Sequence, residues 1–247
     1  MDKITFVIPC YNNLHHTEKC VKSIRAHSPP GSFNFVFVNN GSTDGTKKYL
    51  ENVPDSIVIN NPQNIYVNPA WNQAFDYILN HDIGDYVCLC NNDIEASENW
   101  LDEIFKLFRQ NRQEWFIPMT LNYPEFKKHR ETFQPTNLRL SKIEGNFVGF
   151  CMFFRKEHIK HFYPIPSQLL VLRGDDWITD CISFHNVVCF VVHNCVVHHF
   201  GSATQRILSI NPIKDSDARE FDKLVATEYK NRGMKRIFQH KFQIGLL

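Results

Sequence analysis

The chain has 247 residues, 43% of them hydrophobic, with 27 Lys plus Arg against 26 Asp plus Glu. That length fits one sizeable α/β domain with an appendage, and the near-neutral balance excludes a surface that is basic throughout, so nucleic acid is not expected as a partner. No run reaches the ~18 apolar residues of a membrane span, and the opening MDKITFVIP lacks the pattern of a secretory leader, so a cytoplasmic location is expected.

In chain order, Lys3 to Pro9 reads as a buried strand, and Leu14 to His27 as a helix with Thr17, Cys20, Val21 and Ile24 on one face. The strand Phe33 to Val38 runs into VNNGSTDGT, where Asp44 is placed to cap a short helix through Glu51; Ser56 to Ile59 is a third strand. Asn68-Pro69 reads as an N-cap followed by proline in the first turn, opening a helix with Trp71, Ala74, Phe75 and Ile78 inward and ending near His81. Tyr86 to Cys90 is a fourth strand, broken by NND, and Ser97 is expected to cap a helix carrying Leu101, Ile104, Phe105 and Phe108.

The second half is less regular. Met119 to Leu140 reads as a long exposed segment. Phe147 to Phe154 is expected as a strand, Trp177 to Phe184 as a short helix, Val187 to Val192 and Cys195 to Val197 as strands, and Asp215 to Arg232 as a surface helix. Eight scattered cysteines without a C-x-x-C pair read as small buried hydrophobes rather than as disulfides or a zinc site.

Alternation of strands and helices implies a mostly parallel central sheet flanked by helices on both faces, with ligands beyond the carboxyl ends of the strands. The polar breaks Cys10-Tyr11-Asn12, Asn39-Asn40-Gly41 and Asn91-Asn92-Asp93 each follow a strand and should converge on one edge. A single such break is an ordinary turn; three at one edge point to a pocket.

Seven pieces in order complete the pattern: IPCYNN, VNNGSTDGT, NPQNIYVNPAWNQA, CNNDIE, GFCMFFRK, GDDWITD and VVHHFGSAT, spread over residues 3 to 204. The chain resembles inverting family 2 glycosyltransferases of the GT-A type. The resemblance implies a Rossmann-like GT-A domain over residues 1–205, with a nucleotide-sugar-binding half (1–95) and an acceptor-binding half (96–205), followed by a helical extension (206–247).

It also implies roles for individual residues. Pro9, Cys10, Tyr11 and Asn12 would lie against the base of a nucleoside-diphosphate sugar, with Asn39 where the family usually carries a base-contacting aspartate. An amide can still accept a hydrogen bond there but also donates and carries no charge, so a UDP- or dTDP-sugar is favoured without being fixed. Asn64 and Asn72 match asparagines near the donor, and Gly149 would let the donor approach the backbone. Asn91, Asn92 and Asp93 occupy the family's D-x-D position, with Asp93 as the ligand of Mn2+ or Mg2+. Side-chain alternation admits only one of His198 and His199 to the pocket; His198 is taken as the second ligand. Asp176 aligns with the family's base, with Asp175 as the alternative, although acids at a helix start also have a purely structural use. Trp177 would stack on an acceptor sugar, and Arg155 would reach the phosphates or close a salt bridge.

The function so implied is metal-dependent, inverting transfer of a sugar to a hydroxyl of a glycan, lipid-linked or glycoprotein acceptor. The competing reading is a non-catalytic nucleotide-sugar-binding or assembly protein, motivated by asparagines at positions 39 and 91. The basic and apolar tail from Lys230 to Leu247 is a candidate for peripheral contact with an anionic membrane.

Overall fold

A computed structural model describes residues 2–98, 100–110, 113–120, 140–144, 149–201, 211–234 and 243–246. The strands are β1 (Ile4–Cys10), β2 (Phe33–Asn40), β3 (Ser56–Asn61), β4 (Tyr86–Cys90), β5 (Ile94–Ala96), β6 (Trp115–Thr120), β7 (Leu140–Glu144), β8 (Cys151–Arg155), β9 (Cys189–His199) and β10 (Gln243–Leu246). The helices are α1 (Leu14–Ala26), α2 (Thr46–Leu50), α3 (Val67–His81), α4 (Trp100–Arg109), α5 (Ile159–Phe162), α6 (Gly174–Phe184), α7 (Asn211–Leu224) and α8 (Lys230–Arg232), with a π-helical turn over Val225–Tyr229 between the last two. All the strands join one sheet, ordered β10-β7-β9-β6-β8-β4-β1-β2-β3, with β5 paired to β9.

The sheet is parallel from β3 through β2 and β1 to β4. Beyond β4 it is mixed: β8 lies antiparallel to β4, and β6 is parallel to β9. Strands covered on both faces need apolar residues at every position, and β2 (FNFVFVNN) is buried throughout. Phe6 of β1 sits fully buried between Phe35 (ring centroids 5.8 Å apart), Trp100 (5.7 Å) and Phe153 (6.2 Å), which ties α4 and β8 to the parallel half. Truncating such a ring costs about 3–5 kcal/mol, so this cluster anchors the platform on which the polar loops stand. All eight cysteines are buried and free, and burial pushes the thiols of Cys88, Cys90 and Cys151 well above the usual range.

Several elements differ from the sequence reading. Strand β2 continues through Asn39 and Asn40 because Asn60 and Asn61 of β3 pair with them, Asn39 Nδ2 donating to Asn60 Oδ1 at 2.8 Å and Asn61 Nδ2 to Asn40 Oδ1 at 3.1 Å. Asn68 is not a cap: α3 starts at Val67, after Tyr66 at a positive φ of 69°, and Asn68 lies buried in its first turn. Ser97 does not cap α4; its hydroxyl and N–H both donate to the Val196 carbonyl. Of the segment read as exposed between Met119 and Leu140, residues 121–139 lie outside the described residues, while Met119 and Thr120 are buried in β6. Residues 147 and 148 of the predicted Phe147 to Phe154 strand also lie outside them. The helix read as lying on the surface is exposed on its outer face, at Asp215, Asp222, Lys223 and Lys230 among others, while its inner face is packed, with Asp217 and Phe221 fully buried and Tyr229 nearly so. In the tail, residues 235–242 and 247 lie outside the described set, and Gln243–Leu246 is a strand paired antiparallel with β7. No helix among the described residues is long and apolar enough to cross a membrane.

Candidate active site

The parallel register brings the three polar breaks together. The Asn12 N–H donates to Ser42 Oγ at 2.9 Å, and Asn12 Oδ1 accepts the Thr43 N–H at 2.7 Å. Asn12 and Asn13 both hold the left-handed conformation (φ 50° and 58°), which asparagine tolerates better than most residues. Asp44 joins two helix starts: one oxygen accepts the Leu14 N–H at 3.0 Å, the other the N–H and hydroxyl of Thr46. Partial burial would raise its carboxyl, but these hydrogen bonds outweigh that and hold it below the usual range. Asn39 is buried with its amide orientation set by the Ser42 N–H, which donates to Oδ1 at 3.1 Å. Pro9 and Tyr11 are half-buried at this rim, while the Cys10 side chain turns inward, its thiol raised far above the usual range chiefly by burial.

At the end of β4 a second group forms. Asp93 Oδ1 stands 3.3 Å from His199 Nε2, both side chains nearly buried, and Asn91 Nδ2 lies 3.4 Å from the same nitrogen. The short strand β5 explains why the histidine beside Asp93 is His199 and not His198. In its antiparallel pairing with β9, Ile94 faces His199 and Glu95 faces His198. Ile94 is fully buried and Glu95 exposed, so period-two alternation puts His199 inside and His198 outside, where its ring meets Phe200. Phe150 stacks on the His199 imidazole (centroids 5.0 Å, 18° between planes), and its carbonyl accepts the Asn91 N–H at 2.9 Å. Carboxylate oxygen and imidazole nitrogen bound cis to one octahedral ion would stand about 3 Å apart, so this pair fits a divalent cation.

The third group stands at the start of α6. Arg173 precedes it at a positive φ of 65° and donates from Nη1 to Asp176 Oδ2 at 2.7 Å. Asp175 instead faces Gly149: its Oδ2 accepts the Gly149 N–H at 3.3 Å and its Oδ1 the Asp176 N–H at 3.1 Å. Burial and the neighbouring Asp176 carboxylate raise Asp175 to about 6. Two adjacent acids thus have different environments, one paired with a guanidinium and one lifted toward neutral pH. Two glycines make the approach possible. A Cβ at Gly149 would sit 3.0 Å from the Asp175 Cβ and 3.4 Å from Trp71 Cη2, and a Cβ at Gly174 would come within 2.1 Å of Asn68 Oδ1.

Other residues singled out in the sequence are engaged elsewhere. Both ends of the Asn72 amide are taken by Ile165, donating to its carbonyl at 2.8 Å and accepting its N–H at 2.9 Å. Asn64 Oδ1 accepts the Tyr66 N–H at 2.8 Å, which makes it part of the turn into α3. Asn92 is buried and donates to Thr17 Oγ1 at 3.0 Å. Trp177 offers no open stacking face: it is 2% exposed, its indole N–H donates to the Phe162 carbonyl, and the Arg232 guanidinium lies 5.3 Å from the ring centroid. Arg155 packs over Tyr86 at 5.4 Å and donates to the Phe108 carbonyl. The sequence reading missed Phe150, Trp71 and Arg173; a glycine-flanked acidic pair preceded by arginine was the available signal for the last.

A parallel half joined to a mixed half, with an acidic pair and a carboxylate–histidine pair at one edge, defines a GT-A-type α/β fold. The chain belongs to the family described as "Glycosyl transferase family 2", whose model matches residues 5–162. It is similar in fold to GalNAc-T7 crystallised with UDP, GalNAc and Mn2+ (TM-score 0.62, 13% identity, covering 81% of this chain and 44% of that one). A second similar structure is the mannosyltransferase PcManGT from Pyrobaculum calidifontis in complex with GDP-Man and Mn2+ (TM-score 0.62, 18% identity, covering 83% and 60%). A third is residues 1–349 of TarS from S. aureus (TM-score 0.60, 14% identity, covering 93% and 73%). The chain therefore spans about half the length of the first two. A comparison with curated proteins returned no match.

Proposed function

We propose that the chain is an inverting glycosyltransferase that moves one sugar from a nucleoside-diphosphate sugar to a hydroxyl of a glycan or glycoconjugate, with a divalent metal. The observation that carries this reading is one unbroken line of contacts. It runs from Asp93 to His199, through the Phe150 ring to Gly149, and on to Asp175.

In this reading Asp93 and His199 hold Mn2+ or Mg2+, which when bound neutralises the charge of a diphosphate leaving group. An imidazole in the donor set favours Mn2+. No group of three or more His, Cys, Asp or Glu gathers as a metal site among the described residues; diphosphate and water oxygens would fill the remaining positions. Asp175 rather than Asp176 accepts the proton of the attacking hydroxyl. Its carboxyl, raised to about 6, is ionised at neutral pH yet basic enough to take a proton. Arg173 keeps Asp176 paired, and the Gly149 N–H fixes the orientation of Asp175. Attack from the face opposite the diphosphate inverts the anomeric centre.

The Asn39 amide already accepts the Ser42 N–H and donates to Asn60 Oδ1; its remaining lone pair and N–H would suit the N–H and carbonyl edge of uracil or thymine. A guanine edge has the same pair of groups. Incubating the chain with UDP-, dTDP- and GDP-sugars and Mn2+ and measuring released nucleoside diphosphate tests the proposal. Release from one nucleotide class, lost in Asp175→Asn, supports it; binding without turnover of any donor supports the non-catalytic reading.

A further inference from the structure

The segment that begins at Asn211 packs against the loop and helix that carry the acidic pair, and both lie beyond the family match. Asp217 of α7 is fully buried, a costly place for a carboxylate unless hydrogen bonds replace its water. Three do so. Oδ1 accepts the Leu170 N–H at 3.1 Å, and Oδ2 accepts the N–H groups of Val171 and Leu172 at 2.6 Å each. Consecutive amides converging on one anion form the concave arrangement that backbone uses to bind phosphate; here the anion is the protein's own side chain.

The loop held in this way leads directly into Arg173 and α6. On its other side Asn68 of α3 grips the same residues, its N–H donating to the Leu170 carbonyl and its Nδ2 to the Leu172 carbonyl, each at 3.1 Å. The C-terminal segment continues along α6 beyond the loop. Phe221 lies under the Arg173 guanidinium at 5.8 Å, the Tyr229 hydroxyl donates to Asp180 Oδ2 at 2.8 Å in a buried contact, and Arg232 covers the Trp177 ring.

We infer that Asp217 is a positioning residue for the reaction: it fixes the Leu170–Leu172 loop so that Arg173 meets Asp176 and Asp175 is left facing Gly149. The inference rests on the assignment of Asp175 proposed above. Asp217 touches no reacting atom, so its effect runs through the geometry of α6. Asn at this position is nearly isosteric but turns an N–H2 toward N–H donors, and loosens the loop without emptying the space.

The test compares wild type with Asp217→Asn by amide hydrogen exchange and by donor turnover. The expected result is faster exchange at residues 170–177 with unchanged protection in β1, β2 and β4, and a fall in kcat of about 100-fold with the donor KM little altered, as misplacement of a reacting group produces. Unchanged exchange overturns the inference, as does faster exchange with unchanged kcat or a loss confined to KM. If Asp217→Asn does not fold, Tyr229→Phe replaces it. That variant removes one hydroxyl from the same buttress and is expected to raise exchange over α6 and lower kcat less; no change in either overturns the inference. If wild type turns over no donor, the transferase reading fails on its own. The exchange comparison then still decides whether Asp217 holds the loop.

Discussion

Replacing Asp175 with asparagine is expected to stabilise the protein near neutral pH while stopping transfer. The folded carboxyl titrates at about 6 against an ordinary 3.8, so between those values the folded state binds more protons than the unfolded one. Its contribution to stability is therefore full below the ordinary value and is lost as pH rises through about 6. At neutral pH the ionised side chain costs at most about 3 kcal/mol. Asparagine removes the charge but keeps one acceptor where the carboxylate uses two, for the N–H groups of Gly149 and Asp176, returning about 1 kcal/mol of the gain. The net stabilisation of about 2 kcal/mol corresponds to roughly 4–8 °C in Tm for a chain of this size. Thermal unfolding followed by circular dichroism near pH 7.5 and near pH 4.5 reads it directly. The gain should be present at the higher pH and vanish at the lower, where wild-type Asp175 is already protonated. An Asp175→Asn variant equally or less stable than wild type at both would refute the argument that Asp175 is an energetically strained base.

Asp176→Asn removes the negative neighbour that helps to raise Asp175. In wild type the rate should rise with pH through about 6 as Asp175 ionises; in the variant that acid limb should move to lower pH, seen in the pH profile of kcat/KM, and an unmoved limb would separate the two groups. Loss of turnover in Asp176→Asn with full turnover in Asp175→Asn would exchange their roles. Gly174→Ala forces a Cβ within 2.1 Å of Asn68 Oδ1 and should cost about 1–3 kcal/mol in urea unfolding; a neutral result would mean that Asn68 can release the loop freely.

The parallel half was legible because its strands are apolar at consecutive positions and its helices carry a clear apolar stripe: Thr17, Cys20, Val21 and Ile24 are all buried, as are Leu101, Ile104, Phe105 and Phe108. Strand β6 was hidden by Pro118, a residue that normally argues against a central strand; here the register with β9 shifts between Pro118 and Met119, which accommodates it. Helix α6 starts earlier than read because Gly174-Asp175-Asp176 resembles a loop, while the clamp on Leu170–Leu172 that launches it comes from residues far away in sequence. Which of the two histidines stands beside Asp93 could not be read without a reference point. Alternation is visible in the sequence, but its phase is set by the pairing of β5 with β9, a strand of three residues concealed in a polar stretch. Asp217 left no trace, since an acid in an acidic helix segment reads as solvated until its partners are known.

The central claim is that Asp93 and His199 bind a metal on which the diphosphate of the donor rests. Calorimetric titration of nucleoside-diphosphate sugars into wild type, His199→Ala and His198→Ala, each with and without Mn2+, tests it most directly. Metal-dependent binding that is kept in His198→Ala and lost in His199→Ala is the predicted result. Equal binding with and without Mn2+, or loss in His198→Ala alone, would contradict it.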